Sequence, residues 1–232
     1  MSQTSAQLIS GKSDQAVTAS IVTASTVALV GSTSGTTTLA APSTAGNNTL
    51  TLPTGNGSNG QFLQGNGSGT LSWSGSLTLG TAQNSTSGTS IDFTGIPSWA
   101  KRVTVMFNGV STNGTSVVQV QVGISSGIQV TGYNCSYAAI TSTNACAPNT
   151  LSSGAIVAGA LASVSRTGST VFNSFGSNIW SFTGITADVN GSGVVYSSGL
   201  INLSGTLDRI RITTVNGTDT FDAGSINIMY EG

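Results

Sequence analysis

Beyond Ile91 the apolar and polar side chains alternate with a period of two. Val103, Val105 and Phe107 stand against Arg102, Thr104 and Asn108, and Val118, Val120, Val122 and Ile124 against Gln119 and Gln121. Further on, Ile201 and Leu203 alternate with Asn202, and Ile210 and Ile212 with Arg209, Arg211 and Thr213. At the C-terminal end Ile226, Ile228 and Tyr230 oppose Asn227 and Met229. Successive side chains of a strand point to opposite faces, so each run predicts a strand with one buried and one wet face. Asn108-Gly109, Asn113-Gly114, Asn190-Gly191 and Asn216-Gly217 punctuate the runs. Asn-Gly supplies the positive φ that tight turns need. No helical period is sustained. The pattern predicts an antiparallel β-sandwich or jelly-roll-like knob over residues 86–232.

Upstream the apolar positions thin out. Short strands are expected at 36–39, 49–52, 61–63, 70–73 and 76–79, separated by Gly55-Asn56-Gly57, Asn59-Gly60 and Asn66-Gly67-Ser68-Gly69. The apolar residues of this stretch are Leu39, Leu50, Leu52, Phe62, Leu63, Leu71, Trp73, Leu77 and Leu79. So few side chains cannot offset the ordering entropy with a private core. They are expected to bury against copies of themselves. Leu39, Leu50, Leu52, Phe62, Leu63, Leu71 and Trp73 are the candidate core of that oligomer. Residues 1–35 alternate loosely at Val17, Ala19, Ile21, Val27 and Leu29, as a weak strand or an arm that orders on docking would.

Charge sharpens this division. Charged residues make up 6% of the 232, and none lies between Asp14 and Asp92. An average domain carries roughly 25%. With six Lys and Arg and no basic run, the chain has no electrostatic footprint for nucleic acid. It has no histidine, which excludes a Ser-His-Asp triad, a Cys-His dyad and imidazole metal ligands. The N-terminus lacks a basic segment followed by an apolar one, so no signal peptide is expected. The longest run of small and apolar residues, 155–164, is far short of the ~20 a membrane span needs. The chain is therefore expected to be made in a cytoplasm and not inserted in a membrane. Cys135 and Cys146 are the only cysteines. They would close a loop disulfide or remain two free thiols.

Candidate chemistry is sparse. Gly11-Lys12-Ser13 ends like a phosphate-binding loop, but Ala6 stands where the first glycine belongs. Asp92, Asp188, Asp208, Asp219, Asp222 and Glu231 are the candidates for a glycosidase carboxylate pair. Asp219 and Asp222 would also suit a hard cation. The alternative for Asp208, Arg209 and Arg211 is ordinary surface ion pairing. None of these patterns is complete, so no catalytic residue, metal or cofactor is expected. The aromatic residues Tyr133, Tyr137, Phe172, Phe175, Trp180 and Tyr196 fall in or near expected loops. Clustered at a domain edge, they would stack on sugar rings or contact a receptor; otherwise they pack in a core or interface.

Two stretches carry a resemblance. GTTTLAAPSTAGNNTLTLPT from Gly35, followed by GQFLQGNGSGTLSWSG from Gly60, resembles the connector segments of tailed-bacteriophage fibre proteins. TSIDFTGIPSWAKRVTVMFNGVSTNGTS from Thr89, with LDRIRITTVNGTDTFDAGSINIMYEG from Leu207, resembles a domain recurrent in phage virion proteins. Residues 126–199 match neither, and their loops are expected to form a variable outer face.

The resemblance implies a homotrimer, and a virion structural protein rather than an enzyme. Its expected organisation is all-β: a virion-docking arm at 1–35, an intertwined β-rich stalk at 36–85 and a sandwich knob at 86–232. The arm would bind other virion proteins of the capsid or tail. The knob would attach to a host-surface glycan or protein. Two other roles follow from the same resemblance: a capsid cement or head-fibre protein, and a polysaccharide-depolymerising tailspike. Only about 35 residues precede the connector, which favours a short head fibre or capsid decoration over a long tail fibre.

Overall fold

The computed structural model describes residues 26–30, 32–44, 46–58, 60–75, 77–140, 146–157, 161–162, 164–190 and 193–232. The positions of the arm at Lys12, Val17, Ala19 and Ile21 lie outside them. The chain is all-β, with antiparallel sheets that include a curled half-barrel and no helix among the described residues. It divides into two compact units, Met1–Leu50 and Thr51–Gly232.

In the first unit, β1 (Thr26–Val30) and β2 (Thr36–Ala40) form an antiparallel hairpin. Val27 pairs with Leu39 and Leu29 with Thr37. Directly paired residues share a face. Val27, Leu29 and Leu39 therefore lie on one side, and Ala28, Thr36 and Thr38 on the other. Gly35, with φ at 85°, turns the chain into β2. A side chain there would be strained.

The second unit opens with a hairpin of β3 (Phe62–Gly65) and β4 (Leu71–Ser74). Thr51 lies along it, accepting from Leu71 N at 2.8 Å and donating to Gly69 O at 2.9 Å. The indole Nε1 of Trp73 donates to Gly55 O at 2.7 Å. The strands β5 (Thr78–Leu79) and β6 (Gln83–Asn84), read as connector from the sequence, pair with the C-terminal strand β18 (Phe221–Glu231).

The rest is two sheets packed face to face. The smaller has β7 (Ser90–Thr94), β9 (Val118–Ile124), β10 (Gly127–Ile128), β13 (Ala155–Ile156) and β17 (Arg209–Thr214). Its order is β10-β9-β17-β7, with β13 also on β9. The larger comprises β8 (Arg102–Thr112), β11 (Asn134–Ile140), β12 (Cys146–Leu151), β14 (Arg166–Gly176), β15 (Ile179–Asp188), β16 (Gly193–Asn202), β18, β5 and β6. It runs β12-β11-β16-β15-β14-β8-β18-β5. One apolar cluster fills the space between them. Ile91, Phe93, Val118, Val120, Val122, Ile210 and Ile212 enter from the small sheet. Val103, Val105, Phe107, Phe172, Phe182, Ile201, Ile226 and Ile228 enter from the large one.

The described part of 126–199 is thus mostly strand, and the loops expected to form an outer face are the connections between these strands. The alternation is blurred there. In β15 the outward positions hold Ile179 and Ile185, while Gly184 and Thr186 take inward ones. Serine, threonine and glycine fill both faces, and the period-2 signal fades although the backbone pairs throughout.

A candidate assembly surface

Among the described residues, each unit has exposed apolar side chains. Leu39, Leu50, Leu52, Phe62, Leu63 and Trp73 are between 37% and 70% exposed, and Leu71 is half-buried. Val27, Leu29, Leu77 and Leu79 are exposed as well. The hairpin registers sort these residues onto faces. Leu63 pairs with Trp73 and Gly65 with Leu71, so Leu63, Leu71 and Trp73 share one side of β3–β4. Phe62, Gln64, Ser72 and Ser74 lie on the other. No charged group sits anywhere in this stretch.

Trp73 is held for this role. An added Cβ at Gly57 would lie 2.5 Å from its Cδ2, so the ring lies flush on bare backbone. Gly57→Val should therefore expel the indole and cost about 1–3 kcal/mol of local stability, as overpacking does. Tryptophan fluorescence should shift to the red, while the spectrum of the sandwich strands stays unchanged.

The aromatic residues do not form the expected platform. Phe172 and Phe182 pack with ring centroids 5.5 Å apart, and Tyr133 lies 6.3 Å from Phe182. Tyr133, Phe172 and Trp180 are buried core residues, which corrects their reading as receptor contacts. They occupy inward positions of paired strands or, for Tyr133, the approach to one. Tyr137 is half-buried against the same core. Only Phe175, 82% exposed, and Tyr196, 46% exposed, face solvent. Phe175 lies at the tip of the β14–β15 hairpin. Tyr196 pairs with Ile185, six residues along β15 from its start at Ile179. At ~3.3 Å per residue that is roughly 20 Å, too far for one platform.

The cysteines do not close the loop disulfide. Cys135 is a buried free thiol, its acidity weakened by burial. It pairs with Leu151, whereas Cys146 pairs with Ile140 at the other end of the β11–β12 hairpin. Five rungs separate them, roughly 16 Å. A disulfide needs Cα atoms within about 7 Å.

Four of the six described carboxylates are engaged. Arg211 donates to both oxygens of Asp92 at 2.7 Å, Arg209 to Asp208 at 2.8 Å and Arg102 to Glu231 at 2.6 Å. Asp219 accepts from Ser116 N at 2.8 Å and Asn216 Nδ2 at 2.7 Å. Each of its oxygens thus accepts one bond. No group of metal-ligating side chains occurs among the described residues. Among the described residues no helix is long and apolar enough to cross a membrane.

The same two donors hold the Asp219 carboxyl below the usual carboxylate range. A lowered folded pKa stabilises the protein above the unfolded value near 3.9, and that stability is lost as pH falls through the folded value. Asp219→Asn should lower the urea midpoint at about pH 6. The gap to the parent protein should close towards about pH 2. Asp188 titrates in both proteins and cancels from the difference.

A different charge lies inside. Arg166 is fully buried and pairs in register with Asp188. It donates to Leu161 O at 2.7 Å and Val164 O at 3.1 Å, so it fastens the chain that leads into β14. Burial pushes the Asp188 carboxyl up and the Arg166 guanidinium down, each opposed by attraction to the other. Nothing in the sequence pattern distinguishes Arg166 from a surface arginine.

Comparison with protein-family models, curated proteins and solved structures finds no match to this chain.

Proposed function

We propose that the chain is a non-enzymatic bacteriophage virion structural protein, a short homotrimeric fibre whose sandwich projects outward for host attachment. The observation that carries the reading is the uncharged, solvent-exposed apolar set from Val27 to Leu79. Exposed apolar side chains gathered without any charge among them point to an interaction site. Two-stranded hairpins of this size are not stable alone in water. In the trimer, the apolar face of each unit is covered by the same unit of the neighbouring copies. A self-complementary neutral surface suits this, because copies of one chain repel wherever like charges meet.

Attachment then works by avidity. Weak contacts from three sandwiches per fibre, and many fibres per particle, act together. The absence of histidine and the pairing of most carboxylates support a binding rather than a hydrolytic role. Depolymerisation would need two carboxylates flanking a sugar, one of them free to donate a proton.

The test is deletion of residues 1–35 from phage carrying the chain. For a tail fibre, infection is abolished and capsid melting is unchanged. For capsid cement, particles become heat-labile while adsorption persists. A particle with normal adsorption and normal shell stability overturns both. Release of oligosaccharide from host capsule by the purified protein would establish the tailspike reading instead.

A further inference from the structure

The outer face of the five-stranded sheet carries two shallow hollows that meet at Arg211 and Val130. One is about 330 Å³ and reaches Asp92 and Arg209; the other is about 320 Å³ and reaches Gln121 and Thr213. At the junction, Arg211 grips Asp92 side-on through Nε and one terminal nitrogen, both at 2.7 Å. The other terminal nitrogen has no partner among the described residues. Each Asp92 oxygen accepts one of these bonds and keeps further acceptor capacity. The two side chains remain 37% and 38% exposed, so both a donor and an acceptor of the pair are open to solvent.

An apolar ledge stands beside this fork. Val130 is 55% exposed. Its position is set from below: Gln129 N donates to Val122 O at 2.9 Å, and the Tyr133 hydroxyl donates to Gln129 O at 3.1 Å. The same hydroxyl accepts from Val122 N at 2.7 Å. Arg209 closes the far end, held by Asp208 at 2.8 Å and by Ser125 O at 2.9 Å.

We propose that this face is a binding site for a neutral sugar, with the Arg211–Asp92 fork engaging a vicinal diol and Val130 meeting the C–H face of the ring. The proposal rests on the attachment reading and names the ligand class that the sandwich takes. A vicinal diol presents an oxygen that accepts from the guanidinium next to a hydroxyl that donates to the carboxylate. Only an amphoteric partner satisfies both members of a rigid ion pair at once. Charge selects against the alternatives. Arg211 is neutralised by Asp92 and Arg209 by Asp208, so no net positive field holds a phosphate or sulfate. The guanidinium groups equally repel a metal ion. The hollows are open and mostly polar, unlike the enclosed apolar pockets that take hydrophobic ligands.

The experiment uses the full-length protein with labelled valine methyls and arginine side chains, observed by NMR. It is titrated separately with glucose, galactose, mannose and N-acetylglucosamine in the millimolar range. At least one sugar should give saturable shifts at the Val130 methyls and the Arg211 Nε–H. Arg211→Ala should weaken that binding at least about tenfold, the scale of a lost charge-assisted hydrogen bond. Val130→Ala, an exposed substitution without consequence for folding, should weaken it several-fold. Arg102→Ala breaks a comparable exposed pair that borders neither hollow, and should change nothing. No saturable shift with any of the four sugars overturns the proposal. So does undiminished binding by Arg211→Ala, or an equal response to inorganic phosphate. The attachment reading fails on a different result, normal adsorption by particles lacking the chain, so the two failures are distinguishable.

Discussion

Replacing Leu39, Leu52 and Leu63 together by aspartate is expected to turn the proposed trimer into monomers while leaving the sandwich folded. All three are exposed in the single chain, so the fold loses no internal packing. In the proposed trimer each copy would bury them. Burying one leucine is worth about 1.5–3 kcal/mol. Placing an unpaired carboxylate in such a contact adds a desolvation penalty of several kcal/mol. Three sites in three chains multiply the loss far beyond what a micromolar assembly tolerates. Sedimentation velocity should read a single species of one-third the mass. Near-ultraviolet circular dichroism should retain the signal of the Phe172–Phe182 cluster. A parent protein that is already monomeric, or a variant that remains trimeric, would contradict the shared-core account.

Arg166→Ala is expected to destabilise the sandwich by about 3–5 kcal/mol, the usual result of removing one partner from a buried charged pair. It removes the positive charge that attracts the half-buried Asp188 carboxyl and frees the carbonyls of Leu161 and Val164 from their donor. The thermal midpoint should fall by roughly 10 °C or more. The double variant Arg166→Met, Asp188→Leu should recover much of the loss, because desolvation outweighs attraction in the pair. Burial pushes each group towards its neutral form, against the attraction of the other. A single variant as stable as the parent protein would show that Arg166 fastens nothing. Urea denaturation at neutral pH measures both.

The sandwich core was readable where one face of a strand is purely apolar. Val103, Val105 and Phe107, the three valines of β9, and Ile210 with Ile212 all point inward as their period requires. The exposed apolar set was readable for the opposite reason: too few residues, with no charge among them. The strands of 126–199 were not readable. Their inward positions include Thr170, Thr186 and Ser197, all buried, and their outward positions include Ile185 and Tyr196. An aromatic count cannot tell a core Phe172 from an exposed Phe175 three residues later, because it ignores that odd spacing along β14 puts the two on opposite faces. The Arg211–Asp92 fork was equally hidden. It joins strands 119 residues apart in sequence, and only the β17–β7 register brings them level.

The central claim is that three copies of this chain share an apolar core on the outside of a virion. The most direct measurement is a cryo-electron reconstruction of particles that carry the chain. It should show three sandwiches around a narrow three-fold stem, with the N-terminal residues against the capsid or tail. Density for an isolated single copy, or absence of the chain from purified particles, would contradict it.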